Sequence, residues 1–188
     1  MLSNFRDTTV VRLRVIFERY LWRVVSTLGV FIFFILAIRF LLVDVGQVDG
    51  QSMEPTFIDN QIFIVDRLRY LFVAPARYDL VQAVVPGTSK VVLKRIVGLP
   101  GETVIIKRGK IFIQSPDTNN AQELRESYLA SSVYTTIKGQ QGPREFRLYP
   151  GQYFVVGDNR PYSNDSRAYG SVGRERIVGK VVWWRRRQ

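Results

Sequence analysis

The chain has 188 residues, is 46% apolar and carries a net charge of +11. It contains neither Cys nor His, which excludes disulfides, thiolate nucleophiles, metal sites built on those ligands and a Ser-His-Asp triad. A hydrolase of this composition needs a base from a carboxylate, a Lys, or a metal-bound water held by carboxylates, and the positive charge points to nucleic acid or to an anionic membrane surface.

Residues 1–23 set Arg6, Arg12, Arg14, Arg19 and Arg23 against Asp7 and Glu18. Residues 24–43 read VVSTLGVFIFFILAIRFLLV, an apolar run interrupted by Ser26, Thr27, Gly29 and Arg39. As a helix it is long enough to cross a hydrocarbon core of ~30 Å, and Arg39 lies close enough to its end to snorkel. Between Phe40 and Asp66 there is no Lys or Arg, while Asp44, Asp49, Glu54, Asp59 and Asp66 occur. The positive-inside rule therefore predicts a cytoplasmic arm over 1–23, a single transmembrane anchor over 24–43 and a domain over 44–188 on the trans side. A cleavable secretory signal is the alternative, but its apolar core is shorter, roughly 7–15 residues.

The remainder predicts mainly β structure. Residues 61–66, 80–85, 91–97, 153–156 and 177–184 are short runs rich in Val, Ile and aromatics. Residues 103–107 and 110–114 flank Arg108-Gly109, a two-residue hairpin turn. Residues 115–147 are polar, with Asn119-Asn120, Gln140-Gln141 and Gly142-Pro143, and are read as an insertion forming its own small hairpin or flexible lobe.

Three segments carry candidate chemistry. Gly50-Gln51-Ser52-Met53-Glu54-Pro55-Thr56 follows the apolar run, and a Ser in such a bounded segment either presents its hydroxyl in a cleft or is an ordinary turn residue. In the segment from Val91 to Glu102, strand alternation puts Val92, Lys94 and Ile96 on one face. A Lys among apolar neighbours is either an edge-strand gatekeeper or a base whose amine is poised by desolvation. Gly157-Asp158-Asn159-Arg160-Pro161-Tyr162-Ser163-Asn164-Asp165-Ser166-Arg167 is dense in hydrogen-bonding groups. Taken alone it fits an Asx-rich loop or a cation loop, the latter disfavoured by its two carboxylates.

Together the three segments resemble the boxes of the type I signal peptidases, in family order behind a membrane anchor: Ser-Met-x-Pro-Thr, Lys-Arg-Ile-Val-Gly-x-Pro-Gly-Glu and Gly-Asp-Asn-x-x-x-Ser-x-Asp-Ser-Arg. The single span and compact size are similar to cyanobacterial or organellar members. The resemblance implies a twisted antiparallel, barrel-like β fold and a serine endopeptidase with no cofactor and no metal. Its implied substrates are the signal peptides of exported preproteins, cut after small residues of the Ala-x-Ala type. It implies Ser52 as nucleophile, its amide as an oxyanion donor, and Lys94 as general base. Ser163 is implied to hydrogen-bond and orient Lys94, and Asp165 to pair with Arg95 or Arg167. Val48, Met53, Phe57 and Leu93 fall where the family lines its substrate pockets. Two departures stand out: Gly50 where many members carry a Ser, and Arg77-Tyr78-Asp79 where Arg-Gly-Asp is frequent.

The run from Tyr70 to Pro75 fits either buried core or a membrane-interfacial segment. Trp183-Trp184-Arg185-Arg186-Arg187 reads as a solvated or lipid-facing end rather than a nucleic-acid tail. The expected partners are thus signal peptides and the lipid bilayer. Two rivals remain at this stage: a self-cleaving repressor using the same Ser–Lys chemistry, and a non-catalytic membrane adaptor, which would not need all three boxes.

Overall fold

A computed structural model describes residues 4–118, 120–137 and 142–184. The arginines at 185–187, Asn119 and the Gln140-Gln141 pair lie outside them. The chain divides into two units, Met1–Leu42 and Val43–Gln188.

The first unit is one helix, α1, over Asn4–Leu42. It does not begin near residue 24, where the apolar run starts. Residues 4–23 contain no Gly or Pro to break it. Over Arg14–Arg39 it is, among the described residues, the one helix long and apolar enough to cross a membrane. Trp22, Phe31, Phe33 and Leu36 on it are all exposed.

The second unit is mainly β, with four short helical pieces among its described residues, two of them single 3-10 turns at Arg160–Tyr162 and Arg174–Arg176. In chain order it contains β1 (Val43–Gln47), β2 (Ile62–Asp66), α2 (Arg69–Phe72), β3 (Leu80–Val84), β4 (Val91–Gly98), β5 (Thr103–Lys107), β6 (Lys110–Gln114) and β7 (Gln122–Glu123). There follow β8 (Arg144–Arg147), β9 (Gln152–Val156), α3 (Ser166–Tyr169), β10 (Val172–Gly173) and β11 (Ile177–Trp184). A seven-stranded sheet has the order β1-β2-β11-β3-β4-β9-β10, and a four-stranded sheet the order β7-β6-β5-β8. Every pairing is antiparallel.

Val43, read from sequence as the last residue of the span, instead opens β1 and pairs with Asp66, while Gln47 pairs with Ile62. In the β5–β6 hairpin, Lys107 faces Lys110. Arg108 and Gly109 take φ of 51° and 76°, the paired positive angles of a turn whose twist matches its strands. Among the described residues, the 115–147 stretch forms no hairpin of its own. Its β7 extends the β6 edge and its β8 the β5 edge, so its ends complete the second sheet. The run after Arg69 splits: Tyr70 is buried, whereas Leu71, Phe72 and Val73 are exposed.

Val97, Phe154 and Val156 of the large sheet pack with Val104, Ile106, Ile111 and Ile113 of the small one. Each such side chain, fully buried, contributes about 1.5–3 kcal/mol. The same packing makes β4 a central strand. It lies between β3 and β9, and residues 93–98 are buried without interruption, which rules out the edge-strand gatekeeper reading of Lys94.

Candidate active site

Ser52 sits in the turn between β1 and β2. Gly50, with φ of 85°, starts that turn, and its amide donates to Asp59 Oδ1 at 2.7 Å. The Ser52 carbonyl accepts from the Asn159 amide at 3.1 Å, and Asn159 Nδ2 donates to the Gln51 carbonyl at 2.9 Å. The backbone around Ser52 is thus held on both sides, and the Ser52 amide donates to no group among the described residues.

Lys94 reaches Ser52 from β4. Its Nζ donates to Ser52 Oγ at 2.7 Å and to the Leu93 carbonyl at 2.9 Å. Lys94 is 3% exposed. Burial lowers its amine from the ordinary lysine value to about 8, with Asp165 and Asp158 drawing it upward and Lys90 and Arg167 pressing it down. Desolvation disfavours the ammonium, and the carboxylates nearby are spent on arginines rather than on Lys94. A neutral amine at hydrogen-bond distance from a hydroxyl can accept its proton.

Two buried ion pairs surround this contact. Arg95 donates from Nε and Nη2 to the two oxygens of Asp158, at 2.8 and 2.6 Å. Arg167 donates from Nε and Nη2 to the two oxygens of Asp165, at 2.8 and 2.7 Å. Burial alone would raise the Asp165 carboxyl, but the hydrogen bonds and charge of Arg167 hold it below the usual carboxylate range. Thr56 Oγ1 donates to Asp158 Oδ2 at 2.5 Å, tying the segment after Ser52 to the same carboxylate.

Gly157 lies directly beneath the pair. A Cβ there would collide with the Ser52 carbonyl and with Ser163. Its amide donates to Asp165 Oδ2 at 3.0 Å. A cleft of about 510 Å³ opens over Ser52 and Lys94, walled by Gly46, Val48 and Met53 on one side and Val91 and Leu93 on the other. Because β1 and β4 are far apart in strand order yet face the same cleft, the large sheet curls on itself.

A family model described as signal peptidase, peptidase S26, matches residues 21–184. The chain belongs to this family. It is similar to a signal peptidase I of Leptolyngbya laminosa, 31% identical over 84% of this chain and 76% of that one. It is also similar to a signal peptidase I of Bacillus amyloliquefaciens, 37% identical over 77% of this chain and 74% of that one. Among solved structures, a signal peptidase I of Enterococcus faecalis aligns with a TM-score of 0.47 and 31% identity, over 58% of this chain and 98% of that one. Peptidase S26 members are serine hydrolases, and so is this chain.

Against that family pattern, the structure brings Ser52, Lys94, Arg95, Asp165 and Arg167 together and leaves two expectations unmet. The Ser163–Lys94 hydrogen bond is not formed. Lys94 turns to the Leu93 carbonyl instead, and Ser163 Oγ is buried without a hydrogen-bond partner, tucked over the space left by Gly157. Phe57 does not line the cleft as Val48, Met53 and Leu93 do. It is fully buried behind it, edge-on to Phe63, their ring centroids 6.1 Å apart, and Phe63 takes the wall position. The alternative partners for Asp165 resolve to Arg167, because Arg95 is taken by Asp158. Asp158, Asn159 and Thr56 are site residues that sequence reasoning passed over, although each stands inside a box it had marked.

Proposed function

We propose that this member of the signal peptidase family is a membrane-anchored endopeptidase that removes signal peptides from exported preproteins by a Ser52–Lys94 dyad. The observation that carries this reading is the 2.7 Å contact between a buried Lys94 amine and the Ser52 hydroxyl. Lys94 takes the Ser52 proton as Oγ attacks the scissile carbonyl. The resulting ammonium passes that proton to the leaving amine, and a water then releases the acyl group with Lys94 as base again. The Ser52 amide, which is not spent on another acceptor among the described residues, can donate to the developing oxyanion. With Gly50 in place of a Ser, no side-chain hydroxyl assists from that position.

The substrate binds as an added strand. β4 pairs with β9 only from Arg95 onward, which leaves Val91 to Leu93 open on that side. The cleft walls of Val48, Met53, Phe63 and Leu93 are apolar, which suits uncharged side chains, and the family resemblance adds cleavage after small residues of the Ala-x-Ala type. Residues 1–23 form a cytoplasmic arm, 24–42 the anchor, and 43–188 act on the trans side. The acidic flank after the apolar run supports this orientation.

The test is to incubate the full chain in detergent with a preprotein and sequence the N-terminus of the product. Cleavage immediately after an Ala-x-Ala segment is expected, and uncut preprotein or a cut elsewhere counts against the proposal.

A further inference from the structure

The segment between β7 and β8 belongs to no sequence box, yet it touches every buried arginine of the site. Arg160, whose side chain is 0% exposed, donates from both terminal nitrogens to the two oxygens of Glu126. It also donates to Thr135 Oγ1 and, at 3.3 Å, to the Tyr128 hydroxyl. Arg95 lies over the Tyr128 ring, 3.9 Å from its centroid. Tyr128 in turn donates to Glu126 Oε1 at 2.6 Å. Arg167 Nη1 donates to the Thr136 carbonyl at 2.9 Å.

These contacts converge on one turn. Arg160 Nε donates to the Gly157 carbonyl at 3.1 Å, closing residues 157–160 on themselves. The same turn carries Asn159, whose amide holds the Ser52 carbonyl, and Asp158, which holds Arg95 next to Lys94. The nucleophile and the strand bearing the base are therefore both moored to residues 157–160 on one side. On the other side Glu126 grips the turn through Arg160, and Tyr128 backs Arg95.

We propose that Glu126, seconded by Tyr128, is a positioning residue for the Ser52–Lys94 reaction, fixing the 157–160 turn that sets the distance between nucleophile and base. This rests on the dyad reading above. Glu126 touches neither reacting group, so its influence passes through Arg160 and, by way of the Tyr128 hydroxyl, through Arg95. A neutral amide at 126 leaves the buried guanidinium short of its charged acceptor, and the turn drifts. A misplacement of the reacting atoms by about 1 Å is enough to cost about 10²-fold in rate. The cleft walls at Val48, Met53 and Leu93 lie outside this chain of contacts, so substrate binding is spared.

The experiment compares the full-length chain in detergent with Glu126→Gln, Tyr128→Leu and Glu123→Gln, at a temperature below the melting transition of each. Glu123 lies in the same stretch but pairs with Lys110 on the surface and serves as the control. Expected is a kcat lowered about 10- to 100-fold for Glu126→Gln with KM within about twofold, a smaller fall for Tyr128→Leu, and no change for Glu123→Gln. Glu126→Asp, which keeps the charge, recovers part of the loss. If Glu126→Gln does not fold, Tyr128→Leu decides the matter alone. A folded Glu126→Gln or Tyr128→Leu with wild-type kcat, or with its loss confined to KM, overturns the inference while an inactive Ser52→Ala leaves the dyad standing. Turnover retained by Ser52→Ala overturns the dyad reading and this inference with it.

Discussion

Arg95 is the chain neighbour of Lys94, yet its guanidinium is bound at two points by Asp158, 63 residues away, and its face is covered by Tyr128. Adjacent cations on one buried strand would repel each other. Here one is neutralised by a carboxylate of its own, and the other is left with a hydroxyl and a carbonyl as its hydrogen-bond partners. That division lets a lysine be uncharged beside an arginine.

Breaking that pair should unfold the site rather than merely slow it. Asp158→Ala strands a buried guanidinium and frees Thr56, at a cost of about 3–5 kcal/mol. Thermal melts should show a transition well below wild type, and an unshifted melt would mean that Arg95 finds another anion.

Asp165 gives a pH signature of its own. Its folded carboxyl is held below its unfolded value, so the stability it contributes is present above the unfolded carboxylate range and is lost as pH falls through the folded value. Asp165→Ala should remove this acid-side loss along with about 3–5 kcal/mol at neutral pH. Denaturant titrations from pH 7 down to pH 3 for the two proteins measure the difference, and parallel curves would contradict it.

How much of this was legible in the sequence depends on the element. Ser52 and Lys94 stand out because an apolar strand carrying one Lys and a Gly/Pro-bounded Ser recur in fixed order, and the Arg108-Gly109 turn marks its hairpin by backbone chemistry alone. β1 is hidden because Val43 and Val45 continue the apolar composition of the helix before it. β7 and β10 have two residues each, too few to show a period. Glu126 and Tyr128 lie in a polar stretch with no periodicity, and their role exists only through Arg160 and Arg95, which chain folding brings to them. The Arg95–Asp158 pairing was hidden for a different reason. Arg95 and Arg167 could each pair with Asp158 or Asp165, and only the fold, with β4 set against β9, selects between them.

Ser163 offers a test in the opposite direction. Its hydroxyl is buried without a partner at ordinary hydrogen-bond distance and acts on Asp165 only as the weakest of the groups that hold that carboxyl down, so Ser163→Ala should leave stability unchanged or raised by up to about 1 kcal/mol. A fall of that size in denaturant titration would show that the hydroxyl bonds in the resting enzyme. Gly157→Ala is the contrasting variant. Its methyl group meets Ser163 and the Ser52 carbonyl, and it should cost about 1–3 kcal/mol together with most of the turnover.

The Lys94 amine predicts both a rate profile and a stability profile. Turnover needs the neutral amine, so it should rise with pH and level off above about 8. The folded value lies below the unfolded one near 10.4, so folding opposes protonation. That penalty is fully present below the folded value and disappears above the unfolded one. Lys94→Met should therefore be more stable than wild type by up to about 3 kcal/mol at pH 6 and by much less at pH 10. Equal gains at both pH values would remove desolvation as the cause.

Cooperation between Ser52 and Lys94 is best measured by the kcat of Ser52→Ala, Lys94→Ala and the double variant on one preprotein. If Lys94 serves only to activate Ser52, each single change lowers kcat by several orders of magnitude and the double change falls no further than the worse single one, within about threefold. A Lys94→Ala enzyme within about tenfold of wild type, or a double variant whose loss is the product of the two single losses, would contradict the dyad.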